Sequence, residues 1–368
     1  MYPEFSLLAA ALLVCGEATP HPKPNAPVSR DFKRSDPYAD WPSYSQLPLD
    51  PSYPTKAAWG VRGANDTLGA LNHITNITIQ VAAREVKLGW AFNLNLDVNQ
   101  FVTPINTNRK PLTHLYQPGD GYTDDVIMLN TQISTQFDGL RHFPYSTNAS
   151  VDTYQWYNNL IPSYDDVIGP APTTVLGIQE AAQFGIAGRG VLLDWAGWAA
   201  TQNITFDAFQ GREITVAELD ATAAWQGLPA GNWSLPGDIL LIRTGWIAQY
   251  HALTELERET LPWSGIDSVG MLASDDSLEW LWDKKLAFVG ADNPAFESLP
   301  FNKTINGVAM SLHQVFIGGW GQSIVEFLNL EMLASALHQQ GRSTFFLTLQ
   351  NLNVVSGIAS PPNAMAII

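Results

Sequence analysis

The sequence predicts an α/β fold with one catalytic domain. Short continuous apolar runs, typical of buried strands, alternate with segments that carry helix start and stop signals. Apolar residues make up 46% of the 368 residues and charged residues only 15%, which favours a large core over disorder. No repeat and no linker interrupts residues 57–368, so we expect the domain to span that range.

Four apolar runs are predicted to be buried strands, and each follows a turn or a helix stop. The runs are Val191-Leu192-Leu193, Ile239-Leu240-Leu241-Ile242, Ala287-Phe288-Val289 and Phe345-Phe346-Leu347. The predicted turns and stops before them are Gly188-Arg189-Gly190, Pro236-Gly237-Asp238, Lys284-Lys285 and Gly341-Arg342.

Three helices have recognisable ends. Thr215 and Glu218 form a capping-box pattern at the start of the first. Ser274 and the two aspartates after it open the second, which ends at Lys284-Lys285, so charges match the helix dipole at both ends. The third is expected over about residues 329–340, before Gly341.

The first 18 residues are predicted to be a signal peptide. The run FSLLAAALLVC at residues 5–15 has the length of a leader core, and Gly16-Glu17-Ala18 suits a small-x-small cleavage site. The alternative is a buried N-terminal helix, because Glu4 stands where a basic residue is usual. Residues 19–56 are rich in Pro, Ser and Asp, and we expect an extended lead-in there.

Six N-x-S/T sequons add independent support for a secreted, N-glycosylated protein. They begin at Asn65, Asn76, Asn148, Asn203, Asn232 and Asn302. The single cysteine, Cys15, lies inside the predicted leader. The mature chain would therefore have no disulfide, thiolate nucleophile or cysteine-ligated zinc.

The formal net charge of −16 argues against nucleic acid and anionic membranes, because phosphate binding needs clustered Lys and Arg. No apolar stretch reaches the roughly 18 residues of a spanning helix, so we expect no membrane association in the mature form. The expected partner is a small-molecule substrate.

Two segments concentrate the groups that could do chemistry near neutral pH. The first, TQISTQFDGLRHF at residues 131–143, places Gln132, Gln136, Asp138, Arg141 and His142 among β-forming residues. This segment could instead be a polar surface edge. The second, LHQVFIGGWGQSIVE at residues 312–326, places a histidine and a glutamate in apolar surroundings. Buried charges are normally paired, so these two residues could also form a purely structural pair.

The chain resembles the cyclase family that includes bacterial-type kynurenine formamidase and isatin hydrolase, and most closely a fungal branch. The resemblance runs from about residue 59 to the C-terminus. Its motifs are WG and DTLGALN within residues 59–72, PGDILLIRTGW at 236–246, ADNPAFE at 291–297 and SPPNA at 360–364. It implies a swivelling β/β/α fold with a mixed, largely antiparallel core sheet, and a homo-oligomer, for which we expect a dimer.

The family's metal signature, H-x-G-T-H-x-D-x-P-x-H, aligns with QISTQFDGLRH at residues 132–142. Both histidine ligands are replaced, by Gln132 and Gln136, whereas Asp138 matches the metal-bridging aspartate and His142 the catalytic histidine. His313 and Glu326 match the family's later ligands, with one extra residue between them. A carboxamide is a weaker ligand for zinc or manganese than imidazole.

Two mechanisms follow. In the first, Asp138, His313 and Glu326 bind one divalent metal, zinc or manganese, and His142 moves the proton in ring opening by hydrolysis or in ring closure. In the second, no metal or other cofactor binds, Gln132 and Gln136 donate hydrogen bonds to a substrate carbonyl, and Asp138 and His142 form a catalytic acid–base pair. The reaction is then a cyclisation, dehydration or pericyclic step of secondary metabolism.

Arg141 is predicted to anchor an acidic or enolic substrate, although a surface role is equally compatible with its position. A secreted binding protein on an inactive enzyme scaffold is the alternative from another class. Retention of Asp138, His142, His313 and Glu326 favours an enzyme.

Overall fold

The computed structural model describes residues 38–146, 153–263, 267–305 and 308–368. Pro42–Ile368 forms one compact unit, and of a second unit, Met1–Trp41, only the last four residues are described. The predicted signal peptide and most of the predicted lead-in lie outside the described residues. Tyr44 and Leu47, near the end of that lead-in, are buried. In the part of the chain that is described, no helix is long and apolar enough to cross a membrane.

Fifteen strands are present among the described residues. They are β1 (Ala91–Asn93), β2 (Thr113–Pro118), β3 (Thr123–Met128), β4 (Gln136–Asp138), β5 (Ile186–Leu193), β6 (Glu213–Ile214), β7 (Ile239–Ile242), β8 (Gly270–Met271), β9 (Phe288–Ala291), β10 (Thr304–Ile305), β11 (Val308–Ala309), β12 (Ile324–Glu326), β13 (Thr344–Gln350), β14 (Ala359–Ser360) and β15 (Asn363–Ile367).

The described α-helices are α1 (Asn76–Ala82), α2 (Asp165–Ile168), α3 (Ile178–Phe184), α4 (Trp195–Thr201), α5 (Val216–Trp225), α6 (Trp246–Ala252), α7 (Glu255–Thr260), α8 (Asp275–Lys284) and α9 (Glu331–Gln339). Short 3₁₀ segments occur at Tyr44–Gln46, Gly69–His73, Ala83–Glu85, Tyr157–Asn159 and Leu261–Trp263. A π-helix covers Gln314–Trp320.

Nine of these strands form one mixed sheet in the order β1-β15-β13-β5-β7-β9-β12-β4-β14. The four central strands, from β5 to β12, pair in parallel, and the pairs on either side of them are antiparallel. Central parallel strands are covered on both faces, which explains why β7 and β9 read as continuous apolar runs. The predicted α/β class and the mixed, largely antiparallel sheet are confirmed.

The core lies between the sheet and the helices that pack on it. Leu192, Leu241 and Phe288 from the central strands join Leu333 and Leu337 of α9 in one buried cluster. Burying each such side chain contributes about 1.5–3 kcal/mol relative to exposure. The strongest apolar runs of the sequence therefore form the centre of the fold.

The predicted helix starts agree with the structure. Thr215 caps α5 in a capping box with Glu218, and Ser274 caps α8 through the backbone N–H of Ser277. The third predicted helix is α9, which starts two residues later than expected. One prediction is wrong: Gly188-Arg189-Gly190 is no turn but lies inside β5, where Phe345 of β13 covers the space above Gly190.

The WG and DTLGALN motifs hold the π-helix in place through hydrogen bonds to its backbone. The Trp59 indole N–H donates to the carbonyl of Gly318 at 2.9 Å, and the backbone N–H of Ala70 donates to the carbonyl of Gly321 at 2.8 Å. A π-helix is rare and occurs frequently at functional sites. These contacts orient the helix that begins directly after His313.

The close approach of Gly69 to Gly321 explains the glycine in DTLGALN. Gly69 has φ +58°, and a β-carbon added there would lie 1.9 Å from the carbonyl oxygen of Gly321. Gly60 also has a positive φ, +81°, but has open space around it.

We therefore predict that Gly69→Ala lowers the free energy of unfolding by about 3 kcal/mol, through backbone strain plus overlap. Gly60→Ala is the matched control and should cost about 1 kcal/mol, from backbone strain alone. Urea unfolding followed by tryptophan fluorescence measures both. Equal losses in the two variants would refute the proposed contact.

Candidate functional site

A cavity of about 190 Å³ lies beside the π-helix and the end of β12. Its size suits a small molecule, since sites for drug-sized ligands usually exceed about 300 Å³. Its lining combines an apolar wall with four titratable side chains. The apolar and uncharged residues are Ile105, Asn106, Phe143, Pro294, Ala295, Leu299, Phe301 and Phe327, and the titratable ones are Arg109, His142, His313 and Glu326.

Strand register brings the two predicted segments together. In the antiparallel pair of β4 and β12, Gln136 lies opposite Glu326 and Asp138 lies opposite Ile324. Side chains two residues apart on a strand share a face, and directly opposed residues share it too. Gln136, Asp138 and Glu326 therefore point to the same side of the sheet, where the side chain of His313 meets them.

His313 is buried between two carboxylates. Its Nδ1 is 2.8 Å from Glu297 Oε1, and its Nε2 is 2.9 Å from Glu326 Oε1. Glu297 also accepts the backbone N–H groups of Leu312 and His313, both at 2.9 Å. Burial alone would lower the pKa of His313, but the hydrogen bonds and charges of the two glutamates outweigh it and raise the pKa to about 10. The two glutamates therefore favour the protonated form of His313.

His142 also borders the cavity and lies near Asp138. Its Nε2 lies 3.6 Å from Asp138 Oδ2, and 22% of its side chain is exposed, against 4% for His313. Burial lowers the pKa of His142, and the charge of Asp138 only partly opposes this. A histidine that is neutral at pH 7 and borders a cavity can accept a proton.

The carboxamides of Gln132 and Gln136 bond to carboxylates. Gln132 Nε2 donates to Asp138 Oδ1 at 2.6 Å, and Gln136 Nε2 donates to Glu326 Oε2. Their oxygens face Arg109, which donates to Gln132 Oε1 at 2.9 Å and to Gln136 Oε1 at 3.1 Å. Neither glutamine lines the cavity. This geometry does not match their predicted role as substrate donors.

The structure does not bring Arg141 to the cavity, in contrast to its predicted substrate-binding role. Arg141 is 2% exposed, and its guanidinium donates only to backbone carbonyls. These belong to Thr173, Ser356, Asp166 and Val167, at 2.8, 3.1, 3.1 and 3.2 Å. With its donors used in this way, Arg141 joins loops to one another and has a structural role.

The donor set fits one divalent cation. Single ligand atoms of Asp138, His313 and Glu326 lie within 4.8 Å of one another. Asp138 Oδ2 is buried and has no hydrogen-bond partner among the described residues, which is unusual for a carboxylate oxygen in a protein interior. One carboxylate oxygen from each acid and the Nε2 of His313, which releases its proton when a metal binds, are suitable ligands for zinc or manganese.

Sequence reasoning missed Arg109, which stands in a polar loop with no pattern around it, and only the folded chain brings it to Gln132 and Gln136. Glu297 belongs to the ADNPAFE motif, and the motif makes it a candidate for a supporting role at the site. The folded chain shows that it accepts the backbone N–H groups of Leu312 and His313. Phe143 and Phe301 flank the His313 ring, with centroids 5.2 and 5.3 Å away.

A buried carboxylate–histidine centre beside a small cavity in a mixed α/β sheet is the arrangement of an enzyme active site. A family model described as "Putative cyclase" matches residues 59–298, more than half of the chain. The chain therefore belongs to this cyclase family.

The chain is also similar to solved structures. A structure described as a novel cyclase is 29% identical with a TM-score of 0.71, and the match covers 85% of this chain and 99% of that chain. Isatin hydrolase A from Labrenzia aggregata, bound to benzyl benzoate, is 14% identical with a TM-score of 0.49, over 79% of this chain and 97% of that chain. A "Potential Metal-Dependent Hydrolase With Cyclase Activity" is 14% identical with a TM-score of 0.40, over 75% and 98%. A search of curated proteins gave no match.

We predict that the chelator-treated protein binds one equivalent of zinc or manganese, and that Asp138→Asn weakens this binding at least tenfold because it removes the unpartnered carboxylate oxygen. Isothermal titration calorimetry gives both stoichiometry and affinity. Asp207→Asn, at an exposed aspartate, is the control. Two bound equivalents, no binding, or an unaffected Asp138→Asn would each contradict the single-site assignment.

Proposed function

We propose that this chain is an enzyme that acts on a small carbonyl-containing metabolite by acid–base chemistry, opening a ring by hydrolysis or closing one. The observation that supports this most strongly is the position of His142. It is neutral at pH 7 and borders the cavity, and its Nε2 lies 3.6 Å from Asp138 Oδ2. A base placed in this way can take a proton from water or substrate, and the carboxylate stabilises the imidazolium that forms.

The cavity also holds groups that can stabilise negative charge. Arg109 lines it, and so does His313, whose protonated form the two glutamates favour. A carbonyl oxygen that becomes more negative during the reaction would face these groups in a site that is partly closed to water. The rings of Phe143 and Phe301 give a planar substrate an apolar surface.

A bound divalent cation would be held by Asp138, His313 and Glu326, and it would polarise a carbonyl or lower the pKa of a bound water. His142 remains free to move the proton, because it does not belong to this group of ligands.

A metal-independent cyclisation, dehydration or pericyclic reaction at the same cavity is the second candidate. The observation that favours it is Arg109, which brings a fixed positive charge to this site without a metal. A binding protein on an inactive scaffold is the third. It predicts that cyclic ligands bind in the cavity and are released unchanged.

We predict that His142→Ala lowers kcat by about 10²–10⁴-fold on a lactam, lactone or aryl formamide that the wild type turns over, because it removes the proposed base at the cavity. Product formation is followed by mass spectrometry, and His251→Ala, at an exposed histidine, is the control. A fully active His142→Ala would refute the assignment of the base. Ligand binding without turnover by the wild type would favour the binding protein.

We further propose that the protein enters the secretory pathway and is N-glycosylated. The five sequon asparagines within the described residues, Asn65, Asn76, Asn203, Asn232 and Asn302, are all exposed, as glycan attachment requires. Asn148 lies outside the described residues. A homodimer is also proposed, as the family resemblance implies.

Expression in a eukaryotic host with the native leader tests the pathway. We expect the protein in the medium, with a mass that falls after treatment with an N-glycosidase and an N-terminus near residue 19. The same chain made in bacteria provides the unglycosylated reference mass. Retention inside the cell with residues 1–18 still attached would contradict the proposal.

A further inference from the structure

Arg109 connects the two glutamines of the site. Its guanidinium donates three hydrogen bonds to them. Nη1 donates to the backbone carbonyl of Gln132 at 2.5 Å and to Gln136 Oε1 at 3.1 Å, and Nη2 donates to Gln132 Oε1 at 2.9 Å. An arginine has donors only, so it determines which end of each carboxamide faces it. Both oxygens must point to Arg109, and both NH₂ groups must point away.

The NH₂ groups point to the two carboxylates that form the centre of the site. Gln132 donates to Asp138, and Gln136 donates to Glu326. Asp138 is fully buried and Glu326 is 2% exposed. Each hydrogen bond occupies one carboxylate oxygen, so the other oxygen faces the histidines. These are Asp138 Oδ2 towards His142, and Glu326 Oε1 towards His313.

Charge gives a second reason for this arrangement. Asp138, Glu297 and Glu326 are three buried acidic side chains, and His313 bonds to two of them. A buried charge without compensation destabilises the folded state. Arg109 has no direct ion pair with any of the three, but each carboxamide that it polarises lies between the guanidinium and a carboxylate.

We propose that Arg109 is a positioning residue that fixes both carboxamides, so that Gln132 orients Asp138 towards His142 and Gln136 orients Glu326 towards His313. This inference rests on the proposed function only where it treats Asp138 and Glu326 as residues of the active site. It has a second consequence, because carboxamide oxygens held by Arg109 are not free to bind a cation. Arg109 therefore limits the affinity of the site for divalent metal.

Zinc affinity of the full chain tests the proposal without any substrate. Arg109→Met frees two carboxamide oxygens and removes a nearby cation, so we expect zinc to bind at least tenfold more tightly by calorimetry. Lys110→Met is the matched control, because it removes the same charge by the same substitution at the next, exposed residue. We expect the wild-type affinity in Lys110→Met. Unchanged affinity in Arg109→Met would overturn the proposal.

Arg109→Lys separates position from charge. An ammonium keeps the charge but lacks the planar fork that spans both carboxamides. We expect this variant to bind zinc more tightly than the wild type. If Arg109→Lys binds zinc with the wild-type affinity, the charge of Arg109 alone determines the zinc affinity and the positioning role is wrong.

The wild-type protein gives a test that does not depend on whether the variants fold. In ¹⁵N-labelled protein, the side-chain NH₂ signals of Gln132 and Gln136 are assigned by Gln132→Met and Gln136→Met. We expect both to exchange with water far more slowly than the NH₂ of Gln117, which is exposed on β2. Exchange as fast as that of Gln117 would overturn the proposal. An inactive enzyme with slow exchange would refute only the proposed function.

Discussion

The site depends on the burial of three carboxylates around one imidazole. Asp138, Glu297 and Glu326 have lost nearly all contact with solvent, and His313 lies among them with a nitrogen bonded to each glutamate. Charges in an interior are stable only when they are paired and hydrogen-bonded. This requirement accounts for the neighbours of the site: backbone N–H groups on Glu297 and a carboxamide on each of the other two acids.

Two independent features of the fold bring these paired groups together. The register of β4 and β12 sets Gln136 against Glu326 and puts Asp138 on the same face. The π-helix then directs His313 into that face, and its far end is fixed by Trp59 and Ala70, more than 240 residues earlier in the chain. The tight junction of Gly69 with Gly321 gives the DTLGALN motif a physical reason. It holds the π-helix beside the candidate site from a distance and contributes no side chain to the cavity.

Local sequence signals predicted the elements that local physics determines. Apolar runs identified β7 and β9, and capping residues identified the starts of α5 and α8. The glycines of β5 were wrongly predicted to form a turn. A glycine that leaves room for a neighbouring aromatic ring cannot be distinguished by sequence from one that forms a turn. The motif QISTQFDGLRH showed where the site lies. It could not separate Asp138 and His142, which reach the centre, from Arg141, which bonds to four carbonyls.

Arg109 lay beyond sequence reasoning for a related reason. Its partners are 23 and 27 residues away, so no periodicity or spacing connects them. Its presence changes how the two glutamines are understood. Taken alone, two carboxamides in place of two imidazoles suggest a damaged metal site. With an arginine on their oxygens and carboxylates on their NH₂ groups, every polar atom of both side chains has a partner. Asp138 Oδ2 differs from these carboxamide atoms, because it is a buried acceptor without a hydrogen bond in the part of the chain that is described. An unsatisfied buried carboxylate oxygen is unfavourable for stability, so its persistence beside His142 is best explained by a function that uses it.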